Sequence, residues 1–309
     1  MTITNASELK DCVSYLGLAE FDFDQYEVRK YRVIIPFLAS GINFIFGNLF
    51  QVLSPWSFPG NFPLSMSFLV VNNVLIALAG VFVFRYVHTY TNRIFPAFIG
   101  LVSFLTCRWT GFIAGLPLVD SLYVLVLTMV LLGIRTRNKP LIIFSIFLGP
   151  WAKEAFIFIA PIIFFYAGIP KKQQLLLFVL SGILVFTARI LIDYYSGTQQ
   201  MASIGESFSH FGDILISLKR LFSLHGLYEL FSVTGFWILL IVPAIIKKSL
   251  GVYLKRLDIF VWWYIAAVML QVFLSTDVAR MLYLLTPVLA VLWGIILNDL
   301  KFLTKFRLT

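Results

Sequence analysis

Apolar and polar residues occur along this chain in long blocks. Ten apolar runs are separated by short polar breaks, and they cover residues 33–53, 64–84, 94–107, 117–134, 140–150, 155–169, 174–193, 232–246, 257–275 and 281–298. Runs of about 17–25 residues can cross a bilayer as a helix, whereas shorter runs must tilt, re-enter or pack inside protein. Since open strands cannot satisfy their backbone groups in lipid, we predict an all-α, polytopic integral membrane protein with about nine or ten transmembrane or re-entrant helices.

The composition of the chain points to the same class. Of 309 residues, 60% are hydrophobic and 13% are charged, whereas soluble domains are about 45–50% apolar and about 25% charged. A soluble fold of this size lacks the interior to bury so many apolar side chains. This excludes a cytosolic enzyme, a disordered chain and a disulfide scaffold.

The basic residues predict the topology. The net charge of +9 comes from Lys and Arg in the breaks at 85–93, 135–139, 171–172 and 247–256 and in the C-terminal tail. This is the pattern of cytoplasmic loops, so we do not expect nucleic-acid binding. The expected organisation is a polar N-terminal segment at 1–30, a single membrane domain at 31–298 and a basic cytoplasmic tail at 299–309.

Two features of the membrane domain are predicted to lie outside. The segment 140–169 is too long for one span and has basic residues at both ends, so we predict a helical hairpin that breaks at 149–151, where Pro150 interrupts the helix. Its tip, 150–154, would face outwards. The long hydrophilic connection 194–231 would also be external. Apolar positions from 214 to 222 have helical spacing and predict an amphipathic helix, either on the outer leaflet or packed on protein.

Ionisable residues gather at the predicted outer ends of the apolar runs. They are Arg108, Asp120, Lys153, Glu154, Arg189, Asp193, Asp277 and Arg280. A charge at mid-membrane costs roughly 2.5–3.5 kcal/mol unless it is paired or hydrated. Several such residues on one side therefore predict a polar cavity that opens to the outer face.

Two candidate sites are acidic. Asp22 and Asp24 stand one residue apart, a spacing that suits a divalent cation or a division of acid and base roles. The alternative explanation, which the spacing alone favours, is a solvated acidic patch before a helix. Asp120 begins an apolar helix, where the helix dipole alone favours a carboxylate.

Two further candidate sites each contain one acidic and one basic residue. Lys153 and Glu154 at the hairpin tip either neutralise each other or present Lys153 to an anionic ligand. Asp277 and Arg280 have i, i+3 spacing and either pair on one helix face or leave Arg280 to hold a lipid phosphate.

Together these stretches resemble bacterial members of the GT-C superfamily of membrane glycosyltransferases. The resemblance rests on the acidic stretch that leads into 31–38, then on 116–120, 151–154 and 276–280, followed by Pro287.

The resemblance implies transfer of a sugar from a polyprenyl-phosphate-linked donor to an envelope glycan or lipid acceptor. The active site would face outwards from the bacterial inner membrane. Protein partners are not predicted, and a divalent cation would be held by Asp22 and Asp24. The implied roles are catalytic for Asp22, Asp24 and Asp120, donor-phosphate binding for Lys153, Arg280 and Arg108, and supporting for Glu154, Asp277 and Arg32.

One feature departs from the family pattern. The family has a span before the acidic loop, and residues 1–19 contain no apolar run of that kind. A normal span at 33–53 would place Asp22 and Asp24 on the cytoplasmic side. Re-entry of 33–53 from the outer face, or a missing upstream segment, would restore the family arrangement.

Two other classes of function fit the same charges. A transporter or flippase for a lipid-linked or anionic substrate would line its path with them. A non-catalytic membrane partner subunit would use them for structure alone.

Overall fold

The computed structural model describes residues 6–25, 29–53, 61–197, 213–246, 249–275 and 277–299. Within these ranges all regular secondary structure is helical, which confirms the predicted all-α class. The helices are α1 (Ala6–Ala19), α2 (Ile34–Leu53), α3 (Phe62–Thr91), α4 (Ile94–Leu105), α5 (Arg108–Gly115), α6 (Asp120–Thr136), α7 (Lys139–Ala152), α8 (Ala160–Tyr166), α9 (Lys171–Ser196), α10 (Asp213–Leu221), α11 (Leu224–Thr234), α12 (Ile241–Ile246), α13 (Leu250–Lys255), α14 (Ile259–Phe273), α15 (Val278–Leu282) and α16 (Thr286–Asp299). Short 3-10 helices cover Arg29–Tyr31, Glu154–Phe158, Gly235–Leu240 and Tyr283–Leu285.

Five helical segments are long and apolar enough to cross a membrane. They are Ile34–Leu53, Phe62–Thr91, Lys171–Ser196, Leu224–Ile246 and Val278–Asp299. A sixth candidate is the pair α4 and α5, which meet at a bend of 58°. The remaining apolar runs form shorter helices, as expected for segments that pack within the bundle. The chain is therefore an integral membrane protein, with five or six candidate spans in its described part.

The core of the bundle is formed by α3, α4, α6 and α16. Every residue of α6 from Asp120 to Ile134 is buried by protein. Close approach of α4 and α16 depends on small residues, as in other membrane helix pairs. A Cβ at Gly100 would lie 3.1 Å from the backbone oxygen of Ala290, and one at Gly294 would lie 2.5 Å from a methyl group of Val87.

The two ends of α6 are both held by charged side chains. Asp120 at its beginning is ion-paired with Lys153 and Arg280. Near its other end, Arg135 binds Asp258 at 2.9 Å. From residue 120 to residue 135 is 15 residues, which at 1.5 Å per residue is about 22 Å along the helix. We call these the Asp120 end and the Arg135 end of the bundle.

The predicted hairpin at 140–169 is present as a chain of shorter helices. Helix α7 includes Pro150 and continues to Ala152. The backbone then becomes extended at Lys153, with φ −165° and ψ 140°, before the 3-10 helix that begins at Glu154. The turn therefore falls at Lys153, two to four residues after the predicted break.

The predicted amphipathic helix is also present, as α10. The buried Ser217 hydroxyl donates to the backbone oxygen of Ser275 at 2.6 Å, so one face packs on protein. Leu215 and Ile216 stay exposed on the other side. Residues 198–212 of the same connection, and the predicted basic tail from residue 300 onwards, lie outside the described residues.

The N-terminal segment packs against the bundle. Tyr15 and Leu18 of α1 are completely buried. Phe21 and Phe23, just after α1, contact the Phe37 ring of α2, with ring centroids 5.4 and 6.2 Å apart. The segment thus lies against the start of α2, and it contributes charged residues to the Asp120 end.

Candidate functional site

Charged side chains from six separate parts of the sequence meet at the Asp120 end. We call this group the charge cluster, and its members are Asp11, Arg29, Lys30, Arg32, Asp120, Lys153, Glu154, Arg189, Asp193, Asp277 and Arg280. Six of these side chains are basic and five are acidic. The cluster therefore carries one excess positive charge when all its members are ionised.

Arg280 is at the centre of the cluster. Its guanidinium donates to one carboxylate oxygen of Asp120 through Nε, at 3.0 Å, and to the same oxygen through a second nitrogen. It also binds Asp11 at 2.9 Å and lies 3.9 Å from Asp277. Asp120 is 2% exposed and Arg280 is 8% exposed. A fork of this kind fixes the guanidinium in position as well as neutralising it.

Lys153 completes the environment of Asp120. Its Nζ donates to the second carboxylate oxygen at 3.1 Å, so a cation stands at each oxygen. The same ammonium lies 5.7 Å from the centre of the Tyr123 ring. Burial lowers the pKa of Lys153 below its ordinary value, although the Asp120 carboxylate favours the charged form. Lys153 is thus a desolvated cation that depends on Asp120.

A second branch of the cluster is centred on Glu154. One carboxylate oxygen binds Arg32 at 2.9 Å and the other binds Arg189 at 3.1 Å. Arg32 also donates to the Tyr15 hydroxyl of α1 at 3.1 Å. The side chains of Glu154 and Arg189 are about one third exposed, at 32% and 31%. This branch is the most open part of the cluster.

A third branch connects the N-terminal segment to α9. The Lys30 ammonium lies 2.5 Å from Asp193, although only 2% of its side chain is exposed. The Tyr31 hydroxyl donates to the same carboxylate at 2.8 Å. Burial raises the pKa of Tyr31, and Asp193 raises it further. The phenol therefore stays protonated and serves as a donor.

The position of Asp120 follows from a buried polar contact on α3. The Asn72 amide donates to the backbone oxygens of Leu116 and Leu118, at 2.9 and 3.1 Å, and accepts from the Ser121 hydroxyl at 2.5 Å. These bonds satisfy the irregular backbone between α5 and α6, which lipid would leave unpaired. Asp120 then stands in the first turn of α6, where the helix dipole also favours its charge.

Burying so many charges is costly unless they are paired, and pairing here is extensive. Among the described residues, each carboxylate of the cluster has at least one basic group within 4.0 Å. Charged residues among apolar helices generally mark a functional site. The arrangement suits recognition of an anionic group next to the open branch.

The structure brings most of the predicted site residues together. Asp120, Lys153 and Arg280 are in direct contact, and Glu154, Arg32 and Asp277 belong to the same cluster. This places residues 29–32 at the same end of the bundle as the hairpin turn.

Three predicted residues lie outside the charge cluster. Asp22 and Asp24 are exposed after α1, and the Asp22 carboxylate accepts from the Asp24 backbone N–H at 3.0 Å and from the Gln25 amide at 2.7 Å. Arg108 donates to the Tyr228 hydroxyl instead, beside a separate cavity of about 450 Å³ that Phe236 and Trp237 also line.

The proposed divalent cation gains no support from the described residues. Among them, no three His, Cys, Asp or Glu side chains are grouped to hold a metal ion. Asp22 and Asp24 supply two carboxylates, one already engaged in local hydrogen bonds. We derive no step that uses a metal.

Sequence reasoning missed several members of the site. Asp11 and Tyr15 lie in a helix of mixed composition that carries no local signal of a membrane site. Lys30 lies in the polar segment before the first apolar run, where a basic residue gives no signal of a membrane site. Asn72 had a signal, because an Asn pair at 72–73 inside an apolar run needs hydrogen-bond partners.

The comparisons with known proteins found no match. No protein-family model, curated protein or solved structure is significantly similar to this chain.

Proposed function

We propose that this membrane protein is a glycosyltransferase that moves a sugar from a polyprenyl-phosphate-linked donor to an envelope acceptor at the Asp120 end. The observation that supports this most is the meeting of Asp120, Lys153 and Arg280, which are far apart in sequence. These are the residues to which the GT-C resemblance gives roles in catalysis and phosphate binding.

In this proposal the donor phosphate binds at the open branch of the charge cluster, which is the branch centred on Glu154. Arg189 and, from the N-terminal segment, Arg32 supply the positive charge there. Lys153, next to Glu154 in sequence, adds to this charge from its position on Asp120. Arg280 is surrounded by Asp11, Asp120 and Asp277. We therefore assign Arg280 and Asp120 the task of holding Lys153 in place as well as contributing to the local field.

The reaction replaces one bond to the sugar by another. An acceptor hydroxyl oxygen forms a bond to the anomeric carbon while the bond from that carbon to the phosphate oxygen breaks. The electron pair leaves with the phosphate, and fixed cations beside it lower the barrier because its charge increases. The hydroxyl proton goes to a carboxylate.

Asp24 is the best candidate for that carboxylate. Its side chain is exposed and makes no hydrogen bond or ion pair with another described residue. Asp120, by contrast, is bound to two cations, which makes it a weak base. Asp22 would orient the segment through its bond to the Asp24 backbone N–H.

The proposed location is the bacterial inner membrane with the site facing outwards. Basic side chains predominate at the Arg135 end, where Arg85, Arg93, Arg137 and Lys139 lie close to helix ends. Basic loops favour the cytoplasmic side. The charge cluster would then face the opposite side, where lipid-linked sugars meet their envelope acceptors.

The proposal can be tested by lipid binding and by turnover. Purified protein in mild detergent is incubated with polyprenyl phosphate, or with polyprenol as a control without the phosphate, and bound lipid is measured by native mass spectrometry. We expect the wild type to retain polyprenyl phosphate, and Lys153→Gln or Arg189→Gln to lose most of it. Arg135→Gln removes a cation at the opposite end and should behave as wild type.

Turnover is measured as release of polyprenyl phosphate from a polyprenyl-phosphate-linked sugar in the presence of envelope extract. We expect Asp24→Asn to abolish release while lipid retention is unchanged. Equal retention of polyprenol and polyprenyl phosphate would contradict the proposal, as would full activity of both the Lys153 and Arg189 variants with unchanged unfolding temperatures.

A lipid transporter is the second candidate, and one observation favours it. The bend of 58° between α4 and α5 is followed by an irregular stretch before α6. Discontinuous helices of this type are common in transporters. Movement of a headgroup-labelled polyprenyl-phosphate lipid across a vesicle bilayer, without release of polyprenyl phosphate, would support this candidate over the transferase.

A further inference from the structure

The Arg135 end contains a cavity that the proposed reaction does not use. It has a volume of about 470 Å³ and lies between the end of α3, the start of α4 and the connection from α6 to α7. Its polar lining includes Arg85, His88 and Asn138, and its apolar lining includes Phe84, Ile94 and Leu141. It therefore has one face suited to an anion and one suited to a hydrocarbon chain.

The polar face is arranged by helix geometry. Arg85 and His88 have i, i+3 spacing on α3, so they project from the same side. The Asn138 side-chain oxygen accepts from the Leu141 backbone N–H at 3.2 Å, which leaves its NH₂ group as a donor. Guanidinium, imidazole and amide N–H groups thus line one wall, a set of donors that suits a phosphate.

The charges at this end favour an anionic occupant. The two described carboxylates here are both paired, Asp258 with Arg135 at 2.9 Å and Asp299 with Arg256 at 2.8 Å. Among the described residues, no carboxylate pairs with Arg85, which lines the cavity, or with Arg93, Arg137 and Lys139, which are next to lining residues in sequence. The cavity therefore lies beside uncompensated positive charge.

The apolar wall continues onto the outer surface of the bundle. Ile94 is 72% exposed, and Phe95 and Phe98 on the next turn of α4 are also exposed. In a membrane this surface faces acyl chains, and the basic groups beside it lie near the headgroups. Basic pockets between transmembrane helices on the cytoplasmic side are typical sites for anionic lipids.

We propose that this cavity binds the phosphate headgroup of an anionic glycerophospholipid, with one acyl chain along Phe84, Ile94 and Leu141. The site is distinct from the charge cluster, since it is at the other end of α6. It would fix the Arg135 end of the bundle in the cytoplasmic leaflet.

The test uses delipidated full-length protein and three probes: phosphatidylglycerol, phosphatidylcholine and inorganic phosphate. We expect native mass spectrometry to show preferential retention of phosphatidylglycerol by the wild type. The double variant Arg85→Gln/His88→Gln should weaken this retention roughly tenfold or more, because each basic group near the surface contributes to lipid attraction.

Lys172→Gln is the matched control, since it removes an exposed cation at the same end but outside the cavity. It should leave retention unchanged, and Arg85→Lys should restore part of it. Equal losses in the double variant and in Lys172→Gln would overturn the proposal in favour of general surface charge. Equal retention of phosphatidylcholine, or displacement of lipid by millimolar inorganic phosphate, would also overturn it. Each variant is compared with the wild type only if its size-exclusion profile and unfolding temperature are the same as those of the wild type.

Discussion

At the residue scale, two of the three carboxylates around Arg280 have different roles. Arg280 donates two hydrogen bonds to one oxygen of Asp120, whose other oxygen is bound by Lys153. Asp277 lies 3.9 Å from the Arg280 guanidinium and accepts the Arg280 backbone N–H at 3.4 Å, so it serves mainly as a helix cap. Burial raises the pKa of Asp277, although Arg280 opposes the increase. The charged form of Asp277 is therefore stabilised less in the folded protein than in the unfolded chain.

These differences predict opposite effects of two conservative substitutions. Asp120→Asn should lower the free energy of unfolding by about 3–5 kcal/mol, because it leaves two buried cations without their shared carboxylate. Asp277→Asn keeps a capping oxygen and removes a poorly stabilised charge, so stability should be unchanged or higher. Thermal unfolding in detergent, followed by tryptophan fluorescence, measures both.

The raised pKa of Asp277 also predicts how stability changes with pH. Between the ordinary pKa of an aspartate and the raised pKa of Asp277, the folded state binds more protons than the unfolded chain does. The contribution of Asp277 to stability therefore falls as pH rises through that interval. Asp277→Asn should remove this part of the decrease. Destabilisation by Asp277→Asn comparable to that by Asp120→Asn would contradict this account.

The sequence indicated which residues carry the chemistry of the site better than it indicated which residues contact each other. Asp120, Lys153 and Arg280 stood out because ionisable residues in apolar runs are costly. Their partners did not stand out, because Asp11 and Lys30 lie in polar stretches of the sequence, where a charged residue carries no signal. Arg108 met the same criterion as Arg280 but donates to Tyr228. Only the tertiary packing decides which helix ends come together.

At the element scale, the turn after α7 depends on a close contact. Gly149 lies against the ring of Phe156 in the following 3-10 helix, and a Cβ there would overlap that ring. This contact fixes how the backbone reverses around Lys153 and Glu154. The sequence signalled a break near Pro150, but the helix tolerates this proline in its last turn, where one backbone hydrogen bond is lost.

Gly149→Ala should therefore destabilise the protein by about 1–3 kcal/mol through overpacking and displace the Lys153–Glu154 turn. The matched control is Gly182→Ala on α9, where a Cβ meets nothing within 4 Å. That change should be neutral or stabilising by up to about 1 kcal/mol, because alanine favours a helix over glycine. Unfolding temperatures of the two variants provide the comparison, and equal destabilisation would show that the Phe156 contact is unimportant.

At the scale of the whole molecule, the apolar runs outnumber the described helices that are long enough to cross a membrane. Runs such as 140–150 and 155–169 form α7 and α8, which are too short to cross a bilayer directly. An apolar run that is buried by neighbouring helices cannot be distinguished from a lipid-facing run by hydropathy, and α6 is the clearest case here.

The topology can be tested by cysteine labelling. Asp24→Cys belongs to the N-terminal segment at the Asp120 end, whereas Lys172→Cys lies at the start of α9, 17 residues before Arg189. With the Arg135 end in the cytoplasm, an impermeant maleimide should label the first in intact cells and the second only after permeabilisation. The native Cys12 and Cys107 are buried, so background labelling should be low. Labelling of both positions from the same side would contradict the arrangement.

The distance between the Asp120 end and the Arg135 end along α6 has a consequence for the surrounding lipid. Asp120 and Arg135 are separated by about 22 Å, whereas the hydrocarbon core of a typical bilayer is about 30 Å thick. At least one of these two charged ends must then lie below the level of the headgroups, in a water-filled recess or in a locally thinned bilayer. The helix α9 has 26 residues and is about 39 Å long, so its polar ends reach the headgroup region on both sides of the same membrane. Hydrophobic mismatch around the bundle thus brings water and lipid headgroups towards the charge cluster, and bilayer thickness becomes a variable that controls access to it.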